Sequence, residues 1–226
     1  MYKAEEIKNL AKDLGADLCG IAPAERFSAA PVGFRPADIY KPCKSVLVYA
    51  KQVPSQVLDA ASCVPYTHMS DVTTFDTDSL GIEIALRLQN KGIKSVPLPS
   101  DDPFEHWEPQ RMYGRAILSM RHAGWLAGLG RLGKNTLLIN ERFGNMIQLG
   151  AVLLDIDLEA DPLAEYEVCP EGCYICLDSC PPGALDGNTV NQMNCRAYSV
   201  YVTEKGYRLK RCYICRAMCP HREGIA

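Results

Sequence analysis

The sequence predicts an α+β fold: an α/β body with a mixed sheet over residues 1–160, then a small cysteine-rich unit over residues 161–226. Three observations carry this. Helical and strand-like periodicities alternate along the first part. A polar, Asp/Glu-rich connector at residues 155–167 separates the body from the C-terminal unit. Eight of the eleven cysteines then crowd into the last 58 residues.

In chain order, residues 3–14 carry an apolar stripe at Ile7, Leu10, Ala11 and Leu14, the pattern of a surface helix. After a turn at Gly15 comes a short apolar run, residues 18–22. Residues 45–50 (SVLVYA) read as a buried strand. Residues 78–90 have helical spacing through Leu80, Ile84 and Leu88, with Gly92 as a C-cap. Residues 93–98 read as a strand, and the proline-rich stretch 97–109 as a loop. A helix is expected over about 115–129. Two strand-like runs, 136–140 and 146–157, then suggest a hairpin-like pair.

Bulk properties narrow the function. The chain has 226 residues, 47% of them hydrophobic, enough for a real core. Net charge is −3 and the isoelectric point about 5.8. Nucleic acid is therefore not expected as a partner, since phosphate binding calls for basic surface. No apolar run is long enough to span a bilayer, and the N-terminal segment has no signal-peptide core. Eleven cysteines without a secretion signal point to metal ligation in a reducing cytoplasm.

The cysteines fall into two copies of one phrase. The first is Cys173-Tyr-Ile-Cys176-x3-Cys180-Pro, the second Cys212-Tyr-Ile-Cys215-x3-Cys219-Pro. Cys169 precedes the first copy and Cys195 lies between them. C-x2-C-x3-C-P is a bacterial ferredoxin spacing, in which the Cys before Pro ligates the other cluster. Crossing the ligands predicts one [4Fe–4S] cluster on Cys169, Cys173, Cys176 and Cys219, and a second on Cys195, Cys212, Cys215 and Cys180. In this reading Cys180 and Cys219 each open a helix, with the proline in its first turn. A structural zinc on the two C-x2-C pairs is the bland alternative, and it leaves four cysteines and both Cys-Pro steps unexplained. Cys19, Cys43 and Cys63 share no spacing, and Cys19 reads as buried filler.

Residues Gly128-Leu-Gly130-Arg-Leu-Gly133-Lys134-Asn135 match G-x-G-x-x-G. A phosphate-binding loop needs a strand before it and a helix after it. Here the order is reversed, so a glycine C-cap and turn is expected. His122 could be an axial ligand or a proton carrier, but a lone histidine is more often a packed side chain. Asp71, Asp76, Asp78, Asp101 and Asp102 read as caps and solvated loop residues.

Taken together, the string 127–139 (AGLGRLGKNTLLI), the run LGAVLLD at 149–155, the eight-cysteine pattern and Cys195-Arg-Ala-Tyr198 resemble epoxyqueuosine reductase. The related reductive dehalogenases share this plan. The resemblance implies a nitroreductase-like α/β domain holding a corrinoid (cobalamin), fed with electrons by a ferredoxin-like module with two [4Fe–4S] clusters. It also implies that Gly128, Gly130, Gly133, Lys134 and Asn135 line the corrinoid pocket. The family places a catalytic Asp about a dozen residues before the Ala-Gly-Leu-Gly string. Residues 114–120 here contain no carboxylate. Larger members carry a C-terminal helical-repeat region that helps dock tRNA, whereas this sequence stops seven residues after Cys219, and tRNA is not expected. Two functions are compatible with these features: a reductase of unknown substrate, supplied by a redox partner protein, or a non-catalytic electron carrier.

Overall fold

The computed structural model describes residues 2–225. In chain order it contains α1 (Ala4–Asp13), β1 (Leu18–Pro23), α2 (Pro36–Ile39), β2 (Ser45–Gln52), α3 (Val64–Asn90) and β3 (Ser95–Leu98). A hairpin of β4 (His106–Glu108) and β5 (Tyr113–Arg115) precedes α4 (Met120–Leu126). A second hairpin, β6 (Arg131–Leu132) and β7 (Leu138–Ile139), leads to β8 (Ile147–Leu154). The cysteine segment holds α5 (Ile175–Asp178), α6 (Gln192–Ser199), the hairpin β9 (Val200–Val202) and β10 (Arg208–Lys210), and α7 (Ile214–Ala217).

The main sheet has the order β1-β2-β8-β3, and all three pairings are antiparallel. The expected mixed sheet is thus corrected. β2 and β3 run parallel, joined by the crossover helix α3, but β8 is inserted between them. Helix–strand alternation cannot reveal such an insertion, because the inserted strand comes from much later in the chain.

Alternate side chains of the central strands feed two cores. Val46, Val48 and Ala50 of β2 join Leu149, Ala151 and Leu153 of β8 on the face covered by α4. Leu47 and Tyr49 join Val152 and Leu154 on the face covered by α1 and α3. Residues 45–50 are apolar almost throughout because both faces are buried. Tyr49 is fully buried, and its hydroxyl donates to the Thr77 carbonyl at 2.9 Å. Its ring fits only because Gly81 of α3 and Gly150 of β8 lack side chains.

Several boundaries differ from expectation. α3 starts at Val64, not near residue 78. Its first half is rich in threonine and aspartate, weak helix formers. The hydroxyls of Thr67, Thr73 and Thr77 instead bond the carbonyls of Cys63, Met69 and Thr73, four residues back, at 2.7–2.9 Å. α4 is shorter than expected because residues 113–115 are drawn into a hairpin. Residues 138–139 pair with β6 rather than with β8, so the expected late hairpin is not formed. Cys180 and Cys219 follow the C-caps of α5 and α7 and open no helix. Pro181 and Pro220 therefore act as helix stops, a common place for proline just past a C-cap. Among the described residues, no helix is long and apolar enough to cross a membrane.

One residue of the connector after β8 is bonded to the body three ways. Asp161 takes Lys8 Nζ at 2.7 Å on one oxygen and the Ile21 N–H at 2.7 Å on the other, and its carbonyl accepts from Arg26 at 2.7 Å. Both ion-pair partners are largely shielded, with side chains 15% and 25% exposed. Asp161→Ala leaves the Ile21 amide unpaired and Lys8 with only the exposed Glu5 at 3.2 Å, and is expected to lower stability by about 1–3 kcal/mol in urea unfolding. A loss under about 0.5 kcal/mol, typical of an exposed site, would show that these bonds carry nothing.

Candidate metal centre

The two Cys-Tyr-Ile-Cys phrases fold alike. Tyr174 (φ −130°, ψ 13°) and Tyr213 (φ −141°, ψ 23°) each precede a single helical turn. Those turns close at Ser179 (φ −84°, ψ −4°) and Met218 (φ −81°, ψ −6°), again nearly the same conformation. Repeated sequence gives repeated backbone, and each turn throws the next cysteine away from its own pair.

The eight thiols gather into two groups. Cys169, Cys173, Cys176 and Cys219 line one recess together with Val168, Pro170 and Ile139. Cys219 thus leaves its own phrase and joins the first three. On the other side, burial pushes the Cys215 thiol up to about 11, and the thiols of Cys195, Cys212 and Cys180 add to the rise. Burial likewise raises Cys176, with further repulsion from Cys169, Cys219 and Cys173. Four crowded sulfurs resist ionisation unless cations sit among them, which is the demand that a metal centre meets.

Among the described residues, no group of three or more His, Cys, Asp or Glu side chains converges on a position for one ion. Around an iron–sulfur cube each thiolate binds a different iron, so the four sulfurs stand farther apart than ligands of a single ion. Four soft sulfurs spread around one recess fit that donor set. Cys19 and Cys43 are different: burial pushes their thiols up to about 12 and about 11, and both lie away from the two groups. They are inert packing residues.

The glycine loop serves the cysteines. Gly128 (φ 77°) follows α4 and caps it, its N–H reaching the Trp125 carbonyl at 3.0 Å. A Cβ on Gly128 would strike the Pro162 carbonyl oxygen, and one on Gly130 the Ile139 carbonyl oxygen. On Gly133 it would meet Ile139 and Asn135. The space these glycines leave is filled by the chain itself. Lys134 and Asn135 point onward to the cysteine segment. The Lys134 N–H donates to Cys169 Sγ at 3.4 Å, and its Nζ donates to the Cys173 carbonyl at 2.8 Å while sitting 3.8 Å over the Tyr174 ring. Asn135 is buried and donates to the Cys215 carbonyl at 3.1 Å. One loop therefore touches both thiol groups. Thr136, next in line, holds a positive φ of 63°, rare for a β-branched residue, and Arg121 grips both its carbonyl and hydroxyl at 2.6–2.7 Å.

Other predicted residues stay outside. His122 stands at the surface, 2.8 Å from Ser119 Oγ, and joins no ligand group. Residues that the sequence did not single out carry more. Asn145 donates to the Arg216 carbonyl at 3.2 Å, and its buried Oδ1 has no partner. Gln192 exchanges two 3.0 Å bonds with the backbone of Gly114, tying α6 to the β4–β5 hairpin. Neither belongs to a motif, so spacing could not find them.

That tie frames an open recess of about 390 Å³, lined by Phe104, Trp107, Met112, Arg196, Val200 and Arg208. The Arg196 guanidinium lies 5.8 Å from the Phe104 ring and 5.3 Å from the Trp107 ring. Its neighbour in sequence is Cys195, so the recess adjoins the second thiol group.

No protein-family model matches the sequence. Among curated proteins, the epoxyqueuosine reductase of Staphylococcus aureus is 36% identical over 131 residues, 52% of this chain and 33% of the relative. That of Bacillus subtilis is 26% identical over 254 residues, 97% of this chain and 64% of the relative. The chain thus spans about one third to two thirds of the length of the curated relatives it matches. The solved epoxyqueuosine reductase of Streptococcus thermophilus superposes with a TM-score of 0.68 at 18% identity, covering 100% of this chain and 67% of that one. A catabolic reductive dehalogenase, solved with 3-bromo-4-hydroxybenzoic acid, gives 0.67 at 21% identity, covering 97% of this chain and 32% of its own.

One of these neighbours corrects an expectation. An epoxyqueuosine reductase solved with a tRNA-Tyr stem loop matches with a TM-score of 0.66 at 18% identity, over 98% of this chain and 66% of that one. The exclusion of nucleic acid drawn from net charge does not stand. Net charge sums the whole chain and is blind to local clusters: Arg115, Arg196 and Arg208 sit on elements around the recess, with Arg111 and Arg211 on the segments that flank them. In sequence the chain is similar to epoxyqueuosine reductases, and it shares a mixed α/β fold with them and with reductive dehalogenases.

Proposed function

We propose that the chain is a reductase-type electron-transfer protein. Residues 161–226 act as a ferredoxin-like unit that delivers electrons to an acceptor held against the body formed by residues 1–160. The observation that carries this is the chain of contacts from one thiol group through Lys134 and Asn135 to the other, and on through Cys195 to the recess at Arg196. Two [4Fe–4S] clusters on the eight cysteines would supply one-electron transfer. The Lys134 N–H bond to Cys169 and the Ala184 N–H bond to Cys180, 3.3 Å long, would tune their potentials. A redox partner protein supplies the electrons, and thiolate ligands call for a reducing compartment, here the cytoplasm.

The glycines offer no open cradle for a corrinoid, since the chain's own atoms fill it. The open recess suits one better. Phe104 and Trp107 present flat apolar surface, and Arg196 and Arg208 present cations to carboxamide or phosphate groups. A corrinoid seated there would supply low-potential metal chemistry. The arginines and exposed rings of Trp107, Tyr198 and Tyr201 on the surrounding elements also suit an RNA substrate.

Titrating the iron-loaded protein with hydroxocobalamin is expected to give saturable binding by calorimetry, weakened at least about tenfold in Arg196→Ala and Trp107→Ala. Saturable binding untouched by either change would refute the recess as its site. No binding would favour the non-catalytic carrier, the reading supported by the lack of a carboxylate in residues 114–120.

A further inference from the structure

The two copies of the cysteine phrase share a backbone but not a charge. At the repeat offset of 39 residues, positions 169–180 align with positions 208–219. The first stretch holds two acids, Glu171 and Asp178, and no base. The second holds four bases, Arg208, Lys210, Arg211 and Arg216, and no acid. Lys210 is paired with Asp71 at 3.3 Å, and Arg208 and Arg211 are exposed to water. Arg216 is different. It is half-buried, its guanidinium donates to the Asn145 carbonyl, and it lies close enough to Cys215 to act on that sulfur. Arg196, also half-buried, acts on Cys195 in the same way.

The body adds a third cation. Arg121 holds the Thr136 carbonyl at 2.6 Å, next to Asn135 and its bond to Cys215, and lies near Cys195, Cys215 and Arg216. The exposed Asp101 offsets part of its charge. Among the described residues, none of Arg121, Arg196 and Arg216 forms an ion pair. The first thiol group faces the ammonium of Lys134, set against the exposed Glu171 and Asp178 of its own phrase.

The potential of an iron–sulfur cluster is set by its type, the charge around it, hydrogen bonds to its sulfurs and its exposure. Both groups offer four thiols. Both take a backbone N–H on sulfur, Lys134 on Cys169 at 3.4 Å and Ala184 on Cys180 at 3.3 Å. Exposure does not favour the first group: Cys176 and Cys219 are buried, whereas Cys180, Cys195, Cys212 and Cys215 are half-buried. Charge is what differs. A cluster gains one negative charge with each electron, so a cation beside it favours the reduced form, and a half-buried cation is little screened by salt.

On the two-cluster reading of the eight cysteines, we propose that Arg121, Arg196 and Arg216 hold the second centre at a higher potential than the first. A single electron, given up by the redox partner protein, then comes to rest in the second thiol group, on the side of the recess at Arg196. The charge written into the two copies of one phrase sets the direction of transfer.

The test is an anaerobic redox titration of the full, iron-loaded chain, followed by electron paramagnetic resonance. Two one-electron steps are expected. The step of higher potential should survive alone in Cys219→Ala, and the lower one alone in Cys180→Ala. Arg216→Gln should lower the upper step by roughly three- to tenfold in its reduction constant, tenfold being about 59 mV for one electron, and leave the lower step in place. Arg216→Lys keeps the charge and should hold the upper step near its original position. Arg121→Gln should move the same step in the same direction, and Lys134→Gln only the other. A higher potential in the first group overturns the proposal while leaving two clusters standing. So do steps that Arg216→Gln moves alike or not at all. A chain that takes up no iron and sulfide sinks the two-cluster reading, and the proposal with it.

Discussion

Cys219→Ala is expected to remove the iron held with Cys169, Cys173 and Cys176, while the iron held by Cys212 and Cys215, its own sequence neighbours, stays. Anaerobic reconstitution of the unaltered chain should give about eight iron and eight sulfide, and the variant about four of each. Cys180→Ala should do the reverse, emptying the group of Cys195, Cys212 and Cys215. The expectation rests on Cys219 lining the recess of the first group and on Cys180 lying among the thiols of the second. Electron paramagnetic resonance of the reduced variants distinguishes the two remaining centres. Loss of the centre belonging to the same phrase would sink the crossed grouping. About one zinc and no sulfide in the unaltered chain would end the iron–sulfur reading altogether.

Gly128→Ala should be among the most damaging substitutions in the body. Gly128 has φ 77°, and its missing Cβ position is occupied by the Pro162 carbonyl. Backbone strain for a non-glycine residue here costs about 1–2 kcal/mol. The collision adds to that, because backbone cannot yield as a side chain can, so a total near 3–4 kcal/mol is expected. Gly92→Ala is the control. It has almost the same φ, 79°, with nothing within 4 Å of its Cβ, so only the strain should appear. Equal losses in the two variants, measured by urea unfolding, would mean that the approach of Pro162 contributes nothing. Because Lys134 and Asn135 lie on the same loop, Gly128→Ala should also lower iron content where Gly92→Ala does not.

The parts of the fold legible in the sequence are those set by local pattern. Residues 45–50, 95–98 and 4–13 declare themselves through unbroken apolar runs or a helical stripe. The position of β8 between β2 and β3 has no local signature, because strand order is a property of the whole chain. The first half of α3 was hidden by its threonines, whose hydroxyls find partners on the helix backbone itself. At the site, cysteine spacing singled out the eight thiols that the fold gathers into two groups. Lys134 and Asn135 were visible as a motif, but what they touch was not. Their neighbours Cys169, Cys173 and Cys215 lie 35 to 80 residues away. Gln192 and Asn145 act through backbone bonds and leave no pattern at all.

The insertion of β8 also bears on the order in which the protein is made. β2 leaves the ribosome with one edge bare, and its partner β8 emerges nearly a hundred residues later. Until then β2 and β3 cannot be joined, and the nascent chain exposes an apolar strand that invites misassociation. Once Leu154 has emerged the sheet can close, while Cys169, fifteen residues on, is still inside the ribosome. The Lys134–Asn135 loop can thus be in place before the first thiol arrives. The timing built into the chain favours a finished platform onto which the cysteine segment folds last.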